Sequence, residues 1–133
     1  MRGAAILGEL LAANHLISFL NLADNSLSND SLNYITEGVK SNPYLVSLNL
    51  SQNDLGTGSS FSALMKLFKV SKSEPEYVKC SSLEELVISN NKLTNRNMEE
   101  LSAYIKSSAK SKLQRLDLSQ NGKISVLGVF HIL

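Results

Sequence analysis

Apolar and polar residues fall along this chain in a single frame of eleven positions that occurs four times. In Leu45 to Leu55 (LVSLNLSQNDL) it reads L-x-x-L-x-L-x-x-N-x-L. It returns at Ile17 to Leu27 (ISFLNLADNSL), at Leu83 to Leu93 (LEELVISNNKL) and from Leu113 (LQRLDLSQNGK). The apolar fourth and sixth positions, Leu20 and Leu22 in the first copy, carry the period-two alternation of a short strand. Strands are therefore predicted near 18–22, 46–50, 84–88 and 114–118.

Between the frames the period lengthens to that of a helix. Leu7, Leu10, Leu11 and Asn14 stand at i, i+3, i+4 and i+7 and predict a helical face over 4–14. Leu32, Ile35 and Val39 follow the cap-rich SLSND and precede Pro43, which gives a helix over 30–41. Phe61, Leu64, Met65, Leu67 and Phe68 make the most apolar helix, near 59–70, and Met98, Leu101 and Ile105 mark another near 95–108. The frames begin at 17, 45, 83 and 113, so the second step is about ten residues longer than its neighbours. The excess is SKSEPEYVKCSS, residues 71–82, a solvated insertion and a candidate docking place. After Asn121 the register slips, with Gly122 and Lys123 where x-L is expected and Ile124 one residue late. A helix without its strand at one end and an interrupted frame at the other lead to the expectation of one domain over 1–133. It would be a fragment of a longer array, or a chain whose open repeat ends contact another.

Four motifs in phase, with helices such as SNDSLNYITEGVKSNPYL between them, resemble leucine-rich repeats of the ribonuclease-inhibitor-like class. The resemblance runs from Ala4 to about Asn121 and departs only at 71–82. It implies an α/β fold, a right-handed horseshoe segment with a parallel sheet on the concave face and helices on the convex face. It also implies a cytoplasmic address and a macromolecular partner bound across the sheet. The class serves nuclease inhibitors, innate immune receptors, actin regulators such as the tropomodulin and CARMIL families, and the activator of the Ran GTPase, so the fold does not choose among partners.

On that fold the asparagines after the strands, Asn25, Asn53, Asn91 and Asn121, have a structural role: their amides can serve backbone groups of adjacent coils. The outward strand positions stack into rows. Phe19, Ser47, Glu85 and Arg115 form one, and Asn21, Asn49, Val87 and Asp117 the next. Ala23, Ser51, Ser89 and Ser119 follow, then Asp24, Gln52, Asn90 and Gln120. From these rows Phe19, Asn21, Asp24, Asn49, Gln52, Glu85, Val87, Asn90, Arg115 and Asp117 are the candidate partner-binding residues. Phe19 is the aromatic anchor of a small, polar, mildly acidic face.

Composition narrows the function classes. A 133-residue chain with 43% hydrophobic and 19% charged residues is an ordinary globular domain, and a net charge of +1 gives no bulk attraction to nucleic acid or membrane. No apolar run approaches the ~20 residues of a membrane span. Cys80 stands alone, which excludes an internal disulfide and a CxxC metal site and favours a reducing compartment. Lys66, Lys69 and Lys72, and then Lys106, Lys110 and Lys112, read as a solvated convex face. His15 and His131 lack a carboxylate or thiol at ligand or triad spacing, phosphate-loop glycines are missing, and the adjacent pairs Glu84–Glu85 and Glu99–Glu100 should point apart. No catalytic residue, metal or cofactor is expected. The expected function is a non-enzymatic module or scaffold binding a protein partner. The alternatives are a GTPase-activating protein using Asn21, Asn49 or Arg115, an actin regulator, or an architectural subunit.

Overall fold

The computed structural model describes residues 2–68, 82–107 and 112–125. Most of the 71–82 insertion, Lys69, Lys72, Lys110 and His131 lie outside them. The elements are α1 (Arg2–Ala13), β1 (Phe19–Asn21), α2 (Asn29–Ser41), β2 (Ser47–Asn49), α3 (Ser60–Met65), β3 (Glu85–Val87), α4 (Asn95–Ser107) and β4 (Arg115–Asp117). A 3-10 turn, Lys66–Phe68, continues α3. The strands form one parallel sheet in chain order, with Leu20, Leu48, Leu86 and Leu116 in register across it. This is an α/β leucine-rich-repeat solenoid.

The frame builds its own core. Leu45, Leu48, Leu50 and Leu55 of the second copy and Leu83, Leu86, Ile88 and Leu93 of the third are buried. Leu32, Ile35, Val39, Phe61, Leu64, Met65, Met98 and Leu101 pack onto them from the helices. Helix α2 starts where the Ser28 hydroxyl accepts the Ser31 N–H at 3.2 Å, and Asn42 closes it by donating its N–H to the Val39 carbonyl at 3.1 Å. The late Ile124 still packs against the core, because its N–H reaches back to the Asn121 carbonyl at 3.0 Å and folds Gly122 and Lys123 into a turn.

The first coil is less enclosed. Ile17, Leu20, Leu22 and Leu27 are only half-buried, and Leu16 and Phe19 are 90% and 71% exposed. Leu10, expected on the buried face of the first helix, is 60% exposed. Its periodicity is correct for an apolar face, but α1 packs on α2 alone and covers only part of that face.

Strands of three residues supply few ladder bonds, and side-chain amides hold the turns beyond them. Asn53 Oδ1 accepts the N–H groups of Asn25 and Leu27 in the preceding coil at 3.1 and 3.2 Å. Its Nδ2 shares two hydrogens among the carbonyls of Leu22, Leu50 and Ser51 at 3.0 to 3.1 Å. Asn91 repeats this toward Asn53 and Leu55, and Asn121 toward Asn91 and Leu93. Asn25 departs from the set. It is exposed, and its amide donates to the Ala23 carbonyl within its own coil at 2.9 Å. The residues on either side of Asn25, Asn53 and Asn91 lie in the left-handed region, Asp24 and Ser26 (φ 56° and 48°), Gln52 and Asp54 (58° and 55°) and Asn90 and Lys92 (49° and 57°), whereas at Asn121 only Gln120 (57°) does. These paired reversals turn the chain away from the sheet at some cost in backbone strain.

A second set of amides works at the strand starts. Asn42, fully buried, donates to the Leu11 and Asn14 carbonyls at 2.9 and 3.2 Å and accepts the N–H groups of Tyr44 and Leu45 at 2.7 and 3.0 Å. The Ser82 hydroxyl continues the link, 2.9 Å from the carbonyls of Asn42 and Leu45. On the helical layer, α1 and α2 touch through glycine: a Cβ on Gly38 would collide with the Gly8 carbonyl, and one on Gly8 would lie 2.5 Å from the Tyr34 carbonyl.

Four substitutions test this account by urea denaturation. Asn53→Ala should cost about 1–3 kcal/mol by stranding buried backbone groups, whereas Asn25→Ala should cost no more than about 0.5 kcal/mol. Leu50→Ala should cost about 2–5 kcal/mol through cavity formation. Gly38→Ala should cost about 1–3 kcal/mol, because α1 and α2 must separate to admit the methyl group.

Candidate functional site

The sheet face is shaped by how each strand begins. The N–H groups of Val46 and Ser47 both converge on the Ser18 carbonyl at 2.8 and 3.0 Å. Those of Glu84 and Glu85 converge on the Val46 carbonyl at 2.9 and 3.0 Å, and those of Gln114 and Arg115 on the Glu84 carbonyl at 2.8 and 2.9 Å. Two successive N–H groups thus share one acceptor at the entry to each strand, just ahead of the ladder that begins at Phe19, Ser47, Glu85 and Arg115. Both residues of each pair line one depression of about 350 Å³, with Phe19 closing its β1 side.

Glu84 and Glu85 thus face the same groove, and the expectation that they point apart is overturned. Alternation alone misses Val46 and Gln114 as lining residues.

The polar groups on this face are tied in place. Glu85 accepts the Ser47 hydroxyl at 2.6 Å and the Arg115 Nη1 at 2.9 Å, and these two partners, the serine foremost, hold its carboxyl below the usual glutamate range. Asp117 is likewise lowered, by the side chain and then the backbone N–H of Ser119, the latter at 2.9 Å. Both are ionised at neutral pH. Asn49 Oδ1 accepts the N–H and hydroxyl of Ser51 at 2.9 and 2.6 Å, and Asn21 Oδ1 accepts the Ala23 N–H at 2.9 Å. A Ser51–Ser89 hydroxyl contact of 2.9 Å links β2 to β3. Among the described residues Glu84 is the lining carboxylate without an ion pair.

The candidate partner-binding residues fall into two groups. Phe19, Asn21, Asn49, Glu85, Val87, Arg115 and Asp117 lie on the strands in two adjacent rows. Asp24, Gln52 and Asn90 lie beyond the strands in the left-handed turns and line no part of the groove. His15 sets its ring edge-on to Tyr44 at 5.4 Å. Among the described residues no group of three His, Cys, Asp or Glu side chains is placed to hold a metal, and no helix is long and apolar enough to cross a membrane.

Comparison with known proteins agrees with this geometry. Two leucine-rich-repeat family models match the chain, one over residues 41–58 and 109–132 and the other over 82–103. Among solved structures, the tropomodulin C-terminal domain of Caenorhabditis elegans is similar in fold. Its TM-score is 0.53 at 13% identity, over 97% of this chain and 88% of that one. No curated protein matches the chain in sequence. Repeated frame, parallel sheet, family models and structural neighbour agree: the chain is a leucine-rich-repeat protein.

Proposed function

We propose that this chain is a non-enzymatic interaction module that binds a protein partner on the concave face of its sheet, and that it works in the cytoplasm. The observation that carries the reading is the groove. An aromatic side chain, 71% exposed, stands beside polar groups whose orientation is already set by bonds within the sheet. Such pre-positioned surfaces bind with little ordering cost, and aromatic side chains supply the anchoring area. The lone cysteine and the helical connections support the cytoplasmic address.

The reading as a helper of GTP hydrolysis has less to stand on. Asn21 and Asn49 spend their side-chain oxygens on their own turns, and Arg115 is held by Glu85. An actin-regulatory or architectural role draws on the fold alone.

The test compares the chain with a Phe19→Ala/Val87→Arg double variant as bait in cell extract, with bound proteins identified by mass spectrometry. Both positions face the groove side of the sheet, so the melting temperature should hardly move while the captured proteins are lost. Unchanged capture would remove the concave face from consideration.

A further inference from the structure

The groove has a polarity that specifies its occupant. Its β1–β2 side is apolar, built from Phe19 and Val46. Its β3 side presents the adjacent carboxylates of Glu84 and Glu85, with Asp117 in the next row of the sheet. Arg115 neutralises one of these charges through its 2.9 Å contact with Glu85, so the lining keeps an excess of acid and Glu84 retains unused acceptor positions.

Distance adds a second condition. Phe19, Ser47 and Glu85 are in register on β1, β2 and β3, so Phe19 and Glu85 are two strand spacings apart, about 10 Å. An α-helix advances about 10.5 Å over seven residues and returns to nearly the same face. In an extended chain, side chains on one face recur at about 7 or 13 Å and miss that interval.

We infer that the groove docks one amphipathic helix of a protein partner, laid across the strands. An apolar side chain rests on Phe19 and Val46, and a lysine or arginine seven residues away meets the adjacent carboxylates of Glu84 and Glu85. This rests on the concave-face reading and narrows it to a basic helical partner.

The probe is a hydrocarbon-stapled, alanine-based helical peptide with Leu at one position and Arg seven residues later, titrated against the 133-residue chain by fluorescence anisotropy. Its binding should weaken with added salt, and Glu84→Gln or Phe19→Ala should each weaken it roughly tenfold. Arg115→Ala, which removes the competing cation from Glu85, should tighten it. Three control peptides carry Glu in place of Arg, Arg moved to nine residues after the leucine, about 180° round the helix, or a proline that keeps the chain extended. All three should bind at least roughly tenfold more weakly.

No binding at millimolar peptide, equal binding by any control, or weaker binding after Arg115→Ala overturns the inference. If the peptides fail while the Phe19→Ala/Val87→Arg variant still loses its captured proteins, the concave face stands and the basic helix falls. If both fail, both readings fall together.

Discussion

Everything in this molecule depends on side-chain amides that close the backbone where the sheet cannot. A parallel ladder of three-residue strands leaves the N–H and C=O groups of the turns facing the interior, where an unpaired polar group is costly. Asn53, Asn91 and Asn121 answer that need, each offering an acceptor and a donor to the coil before it. Leucine burial supplies the driving force for stacking, and the amides fix which coil meets which, and in what register. The sheet face can be polar and solvated because its alignment is secured from within.

The groove grows out of the same backbone. The two residues that share each carbonyl of Ser18, Val46 and Glu84 line one depression, and the Ser47–Glu85–Arg115 chain of bonds sets the directions of its polar groups. A surface made this way is as rigid as the sheet beneath it.

How much of this was legible in the sequence depends on whether a residue's role is periodic. Leu50, Leu86 and Asn91 were readable because each repeats at a fixed offset, and the repeat itself is the signal. Asn42 stands outside every repeated position and carries no periodic signal. Its buried bonds to Leu11 and Asn14 come from an element 28 and more residues away. Val46 and Gln114 escape the reading because alternation assigns only every second residue to the face, and both stand one residue ahead of their strands. Leu10 and Asn25 share another cause: the pattern says which face is apolar or amide-bearing and is silent on whether a neighbour covers it. Gly38 was invisible for a related reason, since its value lies in the Gly8 backbone it touches.

The bonds that these asparagines make between coils run one way, from each coil to the one before it, and this gives the stack an arrow. Peeling a coil from the amino-terminal side releases an amide into water, as Asn25 already shows. Peeling one from the carboxyl-terminal side withdraws the acceptor from beneath two N–H groups that remain in the stack, as Asn121 would from Asn91 and Leu93. Loss at the first end is mild, and loss at the second propagates into the next turn. Each described coil is thus latched by the one that follows it, and the order of the chain is written into the stack as a direction.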